Sequence, residues 1–360
     1  MLLKISLFLL LFFLAINPAY SVQLSDQLSP EESSPTSVEE ESKTVRESLA
    51  SKLEGKPVFS DNWMIVTANS YASVAGAKIL ESGGTAADAM IAAQAVLGLV
   101  EPESSGLGGG AFLVWYDNNT KKIVTLDGRE TAPLSAESSL FQNEEGEPMK
   151  FFDAVVGGLS VGTPAIPALM DTAHKRWGSK EWSILFDDAI KLSENGFSVS
   201  AKLAASIDRD AERLSVFKTT KDYFLPDGSG LSHKEIVTNH AYARTLKSIA
   251  SSGIETFYRG EIASDIIKTI KKANGNQGLL EKIDLESYRI IERAPVCIDY
   301  KEYNICGMGP PSSGGVAVGQ ILGILNNFDL KALGSSSPIS WQLIGDASRL
   351  AFADRDRYLA

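Results

Sequence analysis

The sequence predicts a layered α/β fold. Three observations carry that prediction. Short β-prone apolar runs alternate with stretches of helical period. Gly, Pro, Asn and Ser clusters mark the boundaries between them. Finally, 44% of the 360 residues are apolar, enough for a sizeable core.

Folded sequence is expected from near Phe59. Trp63–Asn69 (WMIVTAN) has the length and apolar content of a buried strand. Ser70 can cap a helix carrying Val74, Ala77, Ile79 and Leu80, which Ser82-Gly83-Gly84 should stop. Thr85 then caps a second helix with Asp88 at its third position. That helix, Ala86–Val100, is apolar nearly all round and should be buried. Ala111–Asp117 and Lys121–Gly128 flank Asn118-Asn119 and read as a β-hairpin. Thr163-Pro164 has the form of a helix start with Pro first. Trp182–Glu194 is a helical stretch with Gly196 just past its end, and two more lie near His240–Ser251 and Glu261–Lys272. VCIDYKEYNIC, from Val296, reads as two strands around Lys301-Glu302, which would set Cys297 opposite Cys306. An exported protein permits a disulfide there, and two free thiols fit as well. PPSSGG is a tight turn into a helix, and Ser340–Tyr358 is helical by pattern.

Three segments follow. Residues 1–21 form an export signal: Lys4, an apolar run from Ile5 to Ile16, then Ala19-Tyr20-Ser21 with small residues placed for cleavage after Ser21. The run is about 12 residues, against the roughly 20 that span a bilayer. The expected location is periplasmic or secreted, with no membrane attachment after cleavage. Residues 22–56 are acidic, poor in large apolar residues and expected to be a flexible linker. Residues 57–360 form the folded region, and its end in mid-helix suggests a chain that continues.

A net charge of −11 with no basic stripe argues against nucleic acid. GLGGGA lacks the Lys-Ser/Thr of a phosphate loop, and a strand follows it where a dinucleotide fingerprint needs a helix. Ser104, Ser105, Ser312 and Ser313 are possible nucleophiles. None sits in G-x-S-x-G, and His174, His233 and His240 lie in polar surroundings of the kind found at a surface. No metal-ligand spacing appears, and Asp354–Arg357 is a charged helix face. Arg129, just past the hairpin in LDGRETAP, is placed to grip a carboxylate with two parallel hydrogen bonds. The alternative is a surface ion pair with Asp127 or Glu130.

The motifs GGTAADAMIAA, PESSGLGGGAF, LDGRETAP, GTPAIPA, FYRGEIA and GPPSSGGVAVGQIL occur in the order found in the γ-glutamyltransferase family (glutathione hydrolases), which the sequence resembles from about Asp61 to Ala360. The resemblance implies an αββα sandwich of the N-terminal-nucleophile hydrolase type. It implies a precursor that cuts itself into a large and a small subunit, the new N-terminal Thr of the small subunit being the nucleophile. No such Thr context occurs in these residues, so the sequence resembles the large-subunit region and no catalytic residue is expected in it. By the same resemblance Arg129 binds the α-carboxylate of the γ-glutamyl group, while the oxyanion and α-amino contacts belong to the small subunit. Glutathione is the expected donor, with water, an amino acid or a peptide as acceptor. No metal or organic cofactor is implied. The resemblance leaves room for an acylase or a poly-γ-glutamate processing enzyme, and for a non-catalytic binding module should the gene end here. Ala111 stands where many family members have a further Gly.

Overall fold

The computed structural model describes residues 42–359. The export signal and the first part of the expected linker lie outside the described residues.

The core is built around the helix Ala86–Val100. Ile91, Ala95 and Val96 are fully enclosed, and the helix packs against Ser70–Glu81, Ile166–Trp177 and Asp187–Asn195. Its alanines let neighbours approach closely: a Cβ on Gly76 would lie 3.1 Å from the carbonyl of Ala89. Thr85 and Asp88 form the reciprocal capping box that the sequence predicts. Asn69, rather than Ser70, caps the preceding helix, and Gly83 ends it with φ +82°.

The strands are β1 (Ala111–Asp117), β2 (Lys122–Gly128), β3 (Phe197–Ser198), β4 (Ile236–Val237), β5 (Ile291–Arg293), β6 (Val296–Tyr300) and β7 (Tyr303–Gly307). They pair as a β1-β2-β5 sheet, a two-stranded β3-β4 pair and a β6-β7 hairpin, all antiparallel. In the β1-β2-β5 sheet one face lies on the helix Ile166–Trp177. There Gly128 has no room for a Cβ against Leu169, and Trp115 stacks on Trp177 with ring centroids 4.5 Å apart. Register puts Phe112, Val114, Tyr116, Ile123 and Ile291 on the opposite face. Val114, Tyr116 and Ile291 are exposed, so this face is open there, while Thr125 and Asp127, which share it, are buried.

The elements after Ile290 contribute nothing to the main core. The helices Gly314–Leu325 and Pro338–Tyr358 pack on each other, and the first also packs on β6-β7. Gln320 donates to Asp354 (3.0 Å) and Arg355 to the Ser313 hydroxyl (3.2 Å), so part of the charged face at Asp354–Arg357 ties the two helices together. Cys297 lies opposite Cys306 across a turn of Lys301-Glu302, and the two form a disulfide. Of the two options the sequence leaves open, the bridged one is present.

Four expectations need correction. The expected flexible linker, residues 22–56, contains a helix at Lys43–Leu53, capped by Ser42, whose Val45 is buried with Val74 and Ala77. A few well-spaced apolar residues suffice because a second helix face receives them. Trp63–Asn69 forms no strand: it runs extended with Met64 and Val66 exposed, since no described strand lies beside it. The helix expected at Thr163-Pro164 begins at Ile166, because Pro167 has no N–H to give the Thr163 carbonyl and is accepted only in the first turn; the Ala165 and Ile166 amides go to the carbonyl of Gly109 (2.9 and 3.1 Å). Trp182–Glu194 splits into a 3₁₀ turn, Trp182–Phe186, and an α-helix, Asp187–Asn195, ended by Gly196 at φ +99°.

Candidate functional site

The glycine segment starts from a pinned helix end. Glu101, 1% exposed, accepts from Asn69 Nδ2 (3.0 Å) and Lys202 Nζ (2.9 Å). Asn69 is also the cap of the neighbouring helix, so one buried carboxylate fixes two helix ends together. The Glu101 carbonyl takes the Ser104 and Ser105 amides, turning the chain into the glycines (3.0 Å each). Nearby Glu103 has its carboxyl pushed up, first by burial and then by the charge of Glu101.

Gly110 is where the segment meets β2. A Cβ there would lie 2.6 Å from both the Gly128 carbonyl and Glu130 Oε2, so only glycine lets the two backbones approach. The segment therefore packs as a wall against the Gly128–Glu130 turn. Glu130 Oε2 and the hydroxyl of Thr163 are both buried there without a hydrogen-bond partner.

Arg129 lies one residue past β2, on the side of the sheet that carries Phe112. Its side chain is 55% exposed, with Nη1 3.5 Å from Glu130 Oε2 and Cζ 5.9 Å from the Phe112 ring. Asp127 is not its ion-pair partner. One Asp127 oxygen accepts the Arg129 backbone N–H (3.0 Å) and the other accepts Arg293 Nε (2.8 Å). The Arg129 carbonyl accepts from the Tyr288 hydroxyl at 2.7 Å. Burial pushes the Tyr288 phenol well up, and the charges of Asp127 and Glu130 add to it, so it stays a donor. Among the described residues the guanidinium thus has one loose partner, which leaves donors free beside Phe112 at the edge of the sheet. A planar carboxylate fits such a fork.

The four serines gather no catalytic base. Ser312 accepts from the Gly314 amide and Ser313 from Arg355, and none of them bonds a histidine among the described residues. His233 and His240 are exposed, as expected. His174 is not: its ring packs against Trp182 and its Nε2 donates to the Lys180 carbonyl at 2.8 Å. No group of three or more His, Cys, Asp or Glu side chains suited to a metal occurs among the described residues. Sequence reasoning missed Asp127 as anything but an ion-pair option and missed Tyr288 and Arg293 altogether. Their only signal was a buried-type Tyr and an Arg beside a β-run more than 150 residues from the motif they serve.

The chain is similar to known proteins. The family described as gamma-glutamyltranspeptidase matches residues 72–360. The glutathione hydrolase proenzyme of Bacillus subtilis subsp. natto is 37% identical over 295 residues, 82% of this chain and 50% of that protein. An acylase ACY 1 proenzyme from Pseudomonas sp. (strain V22) is 35% identical over 308 residues, 84% of this chain and 54% of the relative. The crystal structure of Helicobacter pylori gamma-glutamyltranspeptidase superposes with a TM-score of 0.80 at 35% identity, covering 84% of this chain and 86% of that one. The fold is accordingly that of the N-terminal-nucleophile hydrolases, and the described layers are part of their αββα sandwich. The chain belongs to the γ-glutamyltranspeptidase family. It spans about half the length of the curated relatives it matches.

Proposed function

We propose that this chain is the large-subunit region of a γ-glutamyl-transferring or glutathione-hydrolysing enzyme, and that Arg129 binds the α-carboxylate of the γ-glutamyl donor. The observation that carries the reading is a guanidinium with one loose ion-pair partner, set at the rim of an open sheet face in a chain of this family. The nucleophile is the N-terminal Thr of a small subunit from the same precursor. Its hydroxyl attacks the γ-carbonyl, the amide C–N bond breaks, and the amine leaves with a proton. Water, an amino acid or a peptide then takes the acyl group from the resulting ester. Glutathione is the donor expected for a relative of glutathione hydrolases. The enzyme works in the periplasm or outside the cell. Among the described residues no helix is long and apolar enough to cross a membrane.

A relative named as an acylase supports a second reading, an acylase on another amide. One substitution separates the main reading from a surface ion pair. In the self-processed full product of the gene, Arg129→Ala should leave self-cleavage intact and cut kcat/KM for a γ-glutamyl anilide. A lost bidentate contact costs about 2–5 kcal/mol when it strands a buried charge, which is roughly 30- to 5,000-fold. Arg129→Lys should recover part of it, because an ammonium cannot form the fork. A surface ion pair contributes about 0–1 kcal/mol and would leave kcat/KM within about fivefold. An acylase acting on donors without the α-carboxylate would keep its activity in Arg129→Ala.

A further inference from the structure

We propose that Tyr288 and Asp127 are positioning residues for Arg129, holding its peptide groups on both sides so that the guanidinium meets the substrate carboxylate in one orientation. The inference rests on the role proposed above for Arg129. Among the described residues the Arg129 side chain is held by a 3.5 Å contact to Glu130 and by the Phe112 ring beneath its guanidinium, so its direction comes from its backbone. The β1-β2 pairing ends at Ala111 opposite Gly128, which leaves Arg129 without a ladder partner. Its N–H goes instead to Asp127 Oδ1 (3.0 Å) and its carbonyl to the Tyr288 hydroxyl (2.7 Å).

Both partners are themselves fixed. Asp127 cannot swing away because its second oxygen accepts Arg293 Nε, and the Arg293 carbonyl accepts the Thr125 hydroxyl (2.6 Å). Tyr288 is buried with its ring parallel to Tyr258, centroids 6.1 Å apart. The Tyr258 hydroxyl donates to the Pro164 carbonyl (2.9 Å) and accepts the Ala168 amide (3.2 Å) at the start of the helix under the sheet. The two tyrosines therefore join the LDGRETAP, GTPAIPA and FYRGEIA motifs into one support. Neither Tyr288 nor Asp127 touches substrate in this account; each acts through Arg129.

The test compares two donors on the self-processed full product of the gene: γ-glutamyl-4-nitroanilide and 4-aminobutyryl-4-nitroanilide, which differ only in the α-carboxylate. Tyr288→Phe should lower kcat/KM for the first by about tenfold, the scale of one hydrogen bond to a buried group. The loss should lie in KM, since the carboxylate is held alike before and during reaction. The second donor should change by less than about twofold, and adding Tyr288→Phe to Arg129→Ala should cause no further loss. Asp127→Asn, which keeps an acceptor but loses the charge facing Arg293, should shift the same ratio in the same direction. Equal losses on both donors, or an unchanged ratio in both variants while Arg129→Ala abolishes the preference, would overturn the positioning role alone. An unchanged ratio in Arg129→Ala would overturn the role of Arg129 and this inference together.

Discussion

Among single residues, Asp88 does the most with the least surface. It is fully buried and accepts from the Thr85 amide (2.9 Å) and hydroxyl (3.0 Å), the Ser179 amide and hydroxyl (3.0 Å each) and the Lys180 amide (3.3 Å). It thereby caps the central helix and ties the Ser179–Lys180 loop to it. Burial acts to raise its pKa, but the donors at Thr85 and Ser179 outweigh it and hold the carboxyl below the usual range. A lowered folded pKa means the contribution is present above the ordinary aspartate value of about 3.9 and fades as pH falls through the lower folded value. Asp88→Ala should strip several buried donors of their acceptor and lose about 2–4 kcal/mol, read as a lower urea midpoint at pH 7. The loss should shrink at pH 3, where the wild type surrenders part of the same stability. An equal loss at both pH values would mean that the charge of Asp88 contributes nothing.

The glycine segment makes the sharpest forecast among the elements. Gly110→Ala would drive a Cβ to 2.6 Å from the Gly128 carbonyl, so one strand must move. The expected loss is about 1–3 kcal/mol, together with weakened γ-glutamyl turnover because Arg129 hangs from the displaced turn. Gly108→Ala meets nothing within 4 Å and should leave both stability and turnover near wild type. Thermal melts and anilide kinetics on the two variants check this, and matched losses would refute the wall. The β1-β2 hairpin and the central helix were legible because each carries its own signal: two β-prone runs flanking Asn118-Asn119, and Thr85 with Asp88 ahead of an apolar run. Arg129 stands out in the sequence through its motif, and its role remains the one proposed above. Trp63–Asn69 was misread because a strand needs a neighbour, and apolar content says nothing about whether one is present. The Tyr288 and Asp127 contacts were hidden because they join residues remote in sequence. The helix at Lys43–Leu53 was hidden because its stability comes from packing on Ser70–Glu81 rather than from its own composition.

Among the described residues the main core is closed, while apolar side chains lie open on the β1-β2-β5 sheet and on the two C-terminal helices. Val114, Tyr116 and Ile291 lie bare on the β1-β2-β5 sheet, and Val318, Trp341, Leu350 and Phe352 on the two C-terminal helices. Exposed area of this kind marks a surface that expects a covering layer, in line with proenzyme relatives of which the matched region is only about half. The isolated chain should therefore bind a hydrophobic dye such as ANS strongly at neutral pH. Co-production with the small subunit proposed above should suppress that signal, and a dye response no greater than that of a compact monomer would remove this argument. The central claim is that these residues bind the donor and that another segment attacks it. Its most direct test is release of 4-nitroaniline from γ-glutamyl-4-nitroanilide by the purified 360-residue chain, alone and co-produced with the small subunit of its gene or of a close relative. The account predicts no release above the no-protein blank for the chain alone and clear release for the pair; steady release by the chain alone would contradict it.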